Sequence, residues 1–198
     1  SIHSGHWEPF FTACAETNTV VCMHIGSGTK VTLTSSDAPE AVQATNIFTN
    51  SAVSMVDFLF SGILARHPSL KVLYAEAQIG WIPYVIERVD DIWHTHQGWA
   101  HTKTHTPEPP STYYHRQMAS CFFKDSVGVA LLDRVGRTNI MFETDYPHQD
   151  GTWPHSREVA EKHFGYLPAD DIHRIVRGNA IAWLDLDLPE PDPESETC

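Results

Sequence analysis

Four short runs of apolar residues recur along this chain, and each run is followed by a segment with helical periodicity. The runs occupy residues 20–24, 70–77, 118–125 and 139–144. Their interiors are almost wholly apolar, which is typical of strands covered on both faces. Alternating strands and helices predict a parallel sheet with helices packed against it. Four such units are compatible with half of an eight-stranded barrel or with a small doubly wound sheet.

The helix predicted between the first two strands begins at a capping residue and ends near a proline. Asn50 or Ser51 can cap its start, and His67 followed by Pro68 ends it. Its apolar positions at helical spacing are Val53, Val56, Phe60, Ile63 and Leu64. This spacing predicts that these five side chains form the buried face of the helix.

The helix predicted after the second strand has a more regular apolar stripe. Its positions are Ile82, Ile86, Val89 and Trp93. The segment 98–111 is rich in proline and threonine and is predicted to be a loop. Three more helices are predicted: one ends at Gly136, and the others cover 156–165 and 168–186. The glycines at 26 and 28 predict a loop after the first strand.

Composition indicates one globular domain and disfavours several classes of partner. The chain has 198 residues, a formal net charge of −12 and four cysteines. The negative charge disfavours nucleic acid or an anionic membrane surface as a partner. No pair of cysteines has the spacing of a zinc knot, and no apolar run is long enough for a bilayer. We therefore expect a cytoplasmic protein with its domain in residues 1–188 and a disordered acidic tail in 189–198.

Polar residues stand where the predicted strands end. The first strand ends on His24, the second on Glu76, and Asp145 follows the fourth; the third ends on Lys124 and Asp125. Side chains at the carboxyl ends of parallel strands in a barrel converge on one site. An Asp after a strand often caps the next helix instead. Three such residues at three strand ends nevertheless favour an active site.

His24 and Asp145 have the chemistry of ligands to a shared divalent metal. Imidazole and carboxylate groups suit zinc or manganese, and we predict zinc, with manganese as an alternative. Such a metal would generate hydroxide near neutral pH or polarise a substrate oxygen. Glu76 is interpreted as a general acid or base, or as a carboxylate that orients a metal ligand. Asp145 is itself a candidate base.

Three further residues are candidates for contact with a substrate. His148 follows Asp145 by three positions and is a candidate catalytic residue that orients Asp145 or donates to a substrate carboxylate. Arg88 lies in the helix after the second strand and is either half of a structural ion pair or a substrate-binding residue. Trp81 at the start of that helix is also predicted to bind substrate.

Three segments together resemble the amidohydrolase-related family, a metal-dependent group that includes aminocarboxymuconate-semialdehyde decarboxylase and aryl-acid decarboxylases. They read "FSGILARHPSLKVLYAEAQIGWIPYVIERVD", "NIMFETDYPHQDGTWPHS" and "RIVRGNAIAWL", in the family's order. The resemblance implies a (β/α)8 barrel with one metal site. The fifth-strand histidine of the family matches His24, and the eighth-strand aspartate matches Asp145. The sixth-strand histidine of many members is replaced here by Glu76 or Ala77.

The resemblance also implies what this sequence lacks. The family's first strand carries a His-x-His or Glu-x-His pair, and no segment here matches it. We therefore expect an α/β fold that is the C-terminal half of the barrel, strands five to eight with their helices. The expected function is a metal-dependent hydrolase or non-oxidative decarboxylase acting on a small carboxylated or cyclic substrate. A half-barrel is expected to form homo-oligomers or pair with an N-terminal half. The alternative is a non-catalytic truncated half-barrel or assembly module.

A nucleotide-binding domain is disfavoured because the glycine-containing segment "HIGSGTK" has neither the dinucleotide-binding nor the P-loop spacing.

Overall fold

The computed structural model describes residues 1–25 and 34–189 and places four parallel strands in one sheet. The strands are β1 (Val21–His24), β2 (Val72–Ala75), β3 (Met118–Phe122) and β4 (Ile140–Phe142). Their spatial order is their sequence order, β1-β2-β3-β4. A doubly wound sheet reverses its strand order at a switch point. No reversal occurs among the described strands, so the sheet has the order of a barrel segment, and the predicted parallel α/β fold is confirmed.

Thirteen α-helices lie among the described residues. They are α1 (Glu8–Glu16), α2 (Glu40–Asn46), α3 (Phe48–Phe60), α4 (Ile63–Arg66), α5 (Ile82–Thr95), α6 (Gln97–Ala100), α7 (Thr102–His105), α8 (Pro110–Gln117), α9 (Ser126–Ala130), α10 (Leu132–Val135), α11 (Ser156–Phe164), α12 (Ala169–His173) and α13 (Asn179–Leu184). A 3-10 turn (Ile2–Ser4) precedes α1, and a π-helical turn (Arg174–Gly178) joins α12 to α13.

The two faces of the sheet bury separate apolar clusters. Strand residues such as Val72, Tyr74 and Phe122 pack with the helices in the larger cluster. Alternate strand residues form a smaller cluster on the other face, where Trp183 of α13 covers them. The members of the smaller cluster are Leu73, Ala119, Cys121 and Met141. This alternation follows from the two-residue repeat of a strand. It explains why β2, β3 and β4 are apolar at consecutive positions. The expectation of two covered faces is wrong for β1, because its residue Cys22 is exposed.

The helix predicted between β1 and β2 differs from the observed structure. The predicted segment contains two helices, α3 and α4, because Gly62 adopts a φ of +76° and ends the first one near Ser61, and a further helix, α2, precedes them. Helix α3 begins at Phe48, so Asn50 and Ser51 lie inside it and the predicted cap is wrong. Of the five predicted positions, Ile63 and Leu64 are buried and Val56 and Phe60 pack against the core, whereas Val53 is 65% exposed. The fully buried residues of α3 are Ser51, Met55, Phe58 and Leu59.

Other helical segments also differ from the sequence expectation. The stripe on α5 is confirmed: Ile82, Ile86, Val89 and Trp93 are all buried. The predicted loop 98–111 contains most of α6, all of α7 and the start of α8. The predicted helix before Gly136 is divided into α9 and α10. The loop predicted at glycines 26 and 28 and most of the tail 189–198 lie outside the described residues.

No helix in the described part of the chain is long and apolar enough to cross a membrane.

Candidate metal centre

The strand register places the exits of β1 and β2 side by side. His24, the last residue of β1, pairs with Ala75 in the parallel ladder, and Glu76 follows at once. As a result, His24 Nε2 lies 2.8 Å from Glu76 Oε1. The other ring nitrogen of His24, Nδ1, lies 2.8 Å from the carbonyl oxygen of Ile25 and must donate a proton to it. Nε2 is therefore the nitrogen that His24 presents to the site.

The exit of β4 contributes a tight turn that carries an acid and a histidine. Asp145 adopts a φ of +54°, in the left-handed region, and its backbone oxygen accepts from His148 N at 2.8 Å. This turn places His148 Nδ1 2.6 Å from Asp145 Oδ1. The Asp145 side chain is only 6% exposed, whereas that of His148 is 64% exposed. The aspartate thus lies at the base of the turn and the imidazole faces outward.

The exits of β2 and β4 meet to form a cluster that could hold a metal ion. Ligand atoms of Glu76, Asp145 and His148 all lie within 4.8 Å of one another. His24 is adjacent to the cluster through its contact with Glu76. Carboxylate oxygens and imidazole nitrogens are suitable ligands for zinc or manganese. The hydrogen bond from His24 Nδ1 to a backbone carbonyl is also the arrangement usual for a metal-binding imidazole, so these residues fit such an ion.

Burial and neighbouring charges shift the pKa values of several groups here. The pKa of His24 is raised by its hydrogen bond to the Ile25 carbonyl and by the Glu76 carboxylate. The hydrogen bond to Asp145 raises the pKa of His148. Burial raises the pKa of Glu143 to about 7, and the charges of Glu76 and Asp145 add to this increase. Both imidazoles thus hold a proton more strongly than a free histidine would.

A cavity of about 670 Å³ opens beside the cluster. Glu76 and Asp145 line it together with an apolar wall that includes Phe48 and Trp81. The rings of Phe48 and Trp81 lie 6.5 Å apart, and Trp81 Nε1 donates to the carbonyl oxygen of Ala77 at 2.7 Å. This hydrogen bond fixes the indole against the turn that carries Glu76. The cavity therefore combines an apolar surface with two carboxylates at one end.

The structure brings most of the predicted site residues together. His24, Glu76, Asp145 and His148 meet at the strand exits, and Trp81 lines the cavity. Arg88 is not brought to the cavity: it is exposed on α5 and forms an ion pair with Asp91. This is the structural ion pair that the sequence left open as one alternative, and Arg88 is not among the residues that line the cavity.

The residues that follow β3, Lys124 and Asp125, contact the surrounding loops and not the metal cluster. Asp125 caps α9 by accepting from Gly128 N at 2.8 Å. Its other oxygen accepts from the amides of Ile79 and Gly80. Lys124 Nζ donates to the carbonyl oxygen of Asp150 at 3.0 Å. Both side chains therefore hold together the loops around the cluster.

Sequence reasoning did not assign roles to Glu143 or Phe48. Glu143 Oε1 accepts a hydrogen bond from Glu76 N at 2.8 Å. The sequence did indicate on which face of the sheet Glu143 lies: it alternates with Met141 and so lies on the face that buries the smaller cluster. Phe48 had no comparable signal, because its place depends on where α3 begins.

The chain belongs to the amidohydrolase family, whose family model matches residues 2–186. Among solved structures, an amidohydrolase from Mycobacterium avium subsp. paratuberculosis K-10 superposes with a TM-score of 0.79 at 21% identity, covering 93% of this chain and 47% of its own. A dihydroxybenzoic acid decarboxylase from Polaromonas sp. JS666, solved with manganese and 2-nitroresorcinol, gives 0.70 at 19% identity, covering 95% and 56%. A 5-carboxyvanillate decarboxylase from Sphingomonas paucimobilis gives 0.71 at 18% identity, covering 93% and 54%.

The chain spans about half the length of these solved structures. Its four parallel strands thus match about half of an amidohydrolase barrel. No curated protein matches the chain.

Proposed function

We propose that this chain contributes the metal-binding and proton-transfer edge of a metal-dependent carboxy-lyase of the amidohydrolase family. The observation that carries the proposal is the convergence of Glu76, Asp145 and His148 at the strand exits, beside a largely apolar cavity. The substrate would be a small cyclic carboxylate. The names of two solved relatives, both decarboxylases of aromatic acids, support this reaction class.

The metal would be held by Asp145 and Glu76 through oxygen and by His24 through Nε2. The ion would be zinc or manganese, and the manganese in the Polaromonas decarboxylase supports the second. When bound, it would supply positive charge that offsets the negative charge of a substrate carboxylate or adjacent oxygen. This compensation matters because the charged side chains among the described residues of the cavity lining are all acidic: Glu76, Asp145 and Asp150.

His148 would supply the proton that replaces carbon dioxide on the substrate. Loss of CO2 leaves an electron pair on carbon, and that carbon must take up a proton. Because the pKa of His148 is raised, its imidazole stays protonated at a higher pH than the imidazole of a free histidine does. Because Nδ1 faces Asp145, the proton for the substrate would be held at Nε2.

The apolar wall would bind the ring of the substrate. Trp81 and Phe48 present aromatic surface to the cavity, and the indole is fixed by its hydrogen bond to Ala77. Offset or edge contacts between aromatic rings contribute about 0.5–1.5 kcal/mol beyond simple burial. A cyclic substrate would therefore lie between this wall and the acidic end of the cavity.

Hydrolysis of a small cyclic substrate is a second candidate function. The acidic lining favours an uncharged substrate over an anion, and in that reaction Asp145 or Glu76 would accept a proton from water. The two reactions differ in their products, so one set of assays separates them.

The experiment incubates the protein and manganese or zinc with dihydroxybenzoate, with 5-carboxyvanillate and with a neutral aromatic lactone. Release of CO2 from an acid is the expected result, with His148→Asn reducing the rate by about 100-fold or more. His155→Asn is the matched control, because among the described residues the side chain of this exposed histidine pairs only with Glu158, in the first turn of α11. Hydrolysis of the lactone alone would support the second candidate. Metal binding without turnover would favour a non-catalytic half-barrel.

We further propose that the barrel around this metal centre is completed when the open sheet edges are covered. Within the described residues, β1 and β4 each have a strand neighbour on one side only. An eight-stranded barrel needs four more strands, from a second copy or from an N-terminal half. Of these two partners, only an N-terminal half would also contribute the family's first-strand metal ligands, because no segment of this chain matches them. We also propose that the enzyme works in the cytoplasm, a reducing compartment, because Cys14, Cys22 and Cys121 are all free thiols.

A further inference from the structure

We propose that Glu143 is a positioning residue: it holds the backbone amide of Glu76 and thereby aims the Glu76 carboxylate at His24. The effect of this role on metal binding rests on the proposed function. The hydrogen bond by which Glu143 holds the Glu76 amide is independent of the proposed function, because it is a contact between two strand exits.

Glu143 reaches across the end of the intervening strand. It follows β4, while Glu76 follows β2, and β3 lies between them in the sheet. Its own amide continues the ladder by donating to the Phe122 carbonyl oxygen at 3.0 Å. Its Oε1 then accepts from Glu76 N at 2.8 Å. This contact is therefore additional to the strand ladder and depends on the Glu143 side chain alone.

The backbone at Glu76 needs such a restraint. Glu76 adopts a φ of +57°, in the left-handed region that a residue with a Cβ atom rarely occupies. Conformations of this kind persist only when the surrounding structure fixes them. Because the amide and the side chain of Glu76 share one Cα atom, fixing the amide also fixes the direction from which the carboxylate meets His24 at 2.8 Å.

The far end of the same turn is held by a different carboxylate. Asp125 accepts hydrogen bonds from the amides of Ile79 at 2.8 Å and Gly80 at 2.5 Å. Glu143 thus holds the beginning of the turn, where the functional carboxylate lies, and Asp125 holds the end, where α5 follows. The amides of Ile79 and Gly80 therefore provide an internal control for any change at Glu143.

The test compares Glu143→Leu, which removes the acceptor but keeps the approximate size, with Glu143→Gln, which keeps the acceptor oxygen. Amide hydrogen exchange is followed by NMR on the metal-free proteins. We expect the Glu76 amide to exchange about tenfold faster in Glu143→Leu and to stay protected in Glu143→Gln. The amides of Ile79 and Gly80 should keep their protection in both variants. Thermal unfolding of each variant checks that the fold is retained.

Two results would overturn the inference. One is unchanged protection of Glu76 in Glu143→Leu. The other is an equal loss of protection at Ile79 and Gly80, which would show that Glu143 supports the fold in general.

A second readout tests the consequence for the metal centre. Titration with manganese should show affinity about 10- to 100-fold weaker in Glu143→Leu than in Glu143→Gln. Equal affinities in the two variants would contradict the consequence. If manganese does not bind the unaltered protein, the proposed function fails, and the exchange result still decides whether Glu143 holds Glu76.

Discussion

Replacement of Asp125 by alanine is expected to weaken the fold substantially, although Asp125 makes no contact with the metal cluster. Its carboxylate accepts three backbone hydrogen bonds, from Ile79 at 2.8 Å, Gly80 at 2.5 Å and Gly128 at 2.8 Å. Leaving a buried donor without an acceptor costs about 1–3 kcal/mol. Asp125 is only half-buried, so water can reach part of the vacated space. We therefore take the lower end of that range, about 1 kcal/mol for each of the three donors, and expect a loss of about 3 kcal/mol in the free energy of unfolding.

The assay is urea-induced unfolding followed by tryptophan fluorescence. Asp125→Asn keeps an acceptor oxygen and should lose less stability than Asp125→Ala. The matched control is Asp133→Ala, because Asp133 is 83% exposed and, within the described part of the chain, pairs only with Arg137 at the surface. Surface pairs of this kind contribute less than about 1 kcal/mol. If Asp125→Ala lost no more stability than Asp133→Ala, the reasoning about backbone donors would be refuted.

Three further predictions concern other parts of the fold. The Arg66 guanidinium lowers the pKa of Glu8 from 4.5 to about 2, so the stability that this carboxylate contributes is complete above pH 4.5 and is lost as the pH falls toward 2. The difference in free energy of unfolding between the unaltered protein and Glu8→Gln, measured by urea titration, should therefore become smaller as the pH falls from 4.5 toward 2. A difference that stays constant would contradict this. Gly128→Ala should lower the melting temperature measured by calorimetry, because a Cβ atom there would lie 2.3 Å from Ile79 Cγ1, and an unchanged value would contradict the packing. Asn179→Ala should cost about 1–3 kcal/mol in urea unfolding, since its buried amide donates to two backbone carbonyls, whereas a loss below about 0.5 kcal/mol would exclude that role.

Much of the sheet was predictable because β2, β3 and β4 are buried on both faces, whereas Cys22 of β1 is exposed. Consecutive apolar residues such as Val72 and Leu73 face different clusters, so the strand is recognised in the sequence as a continuous apolar run, without alternating apolar and polar residues. The stripe of α5 was predictable for a related reason: one continuous helix packs one face on the core.

Helix boundaries were less predictable, because they depend on local breaks and tertiary contacts. Gly62 divides α3 from α4 through its positive φ, which a periodic apolar pattern does not reveal. Pro110 begins α8, and a proline in the first turn of a helix resembles a loop proline in sequence.

The candidate site was predictable where residues stand at strand ends. His24, Glu76 and Asp145 follow directly from the strand positions, since parallel strands end at one edge. The support given by Glu143 was not predictable, because it depends on the left-handed backbone at Glu76 and on a hydrogen bond across β3. For Arg88 the sequence left a structural ion pair and substrate binding open, and the structure shows the ion pair, with Asp91.

The central claim, that these strand exits hold a divalent metal, is tested most directly by the metal content of the protein. Manganese and zinc per chain are measured by mass spectrometry for the unaltered protein, for Asp145→Asn and for Asp150→Asn. Asp150 is the control because it lines the same cavity but is not among the three clustered residues. The account predicts near-stoichiometric metal in the unaltered protein and in Asp150→Asn, and its loss in Asp145→Asn. Absence of metal from the unaltered protein, or equal loss in both variants, would contradict it.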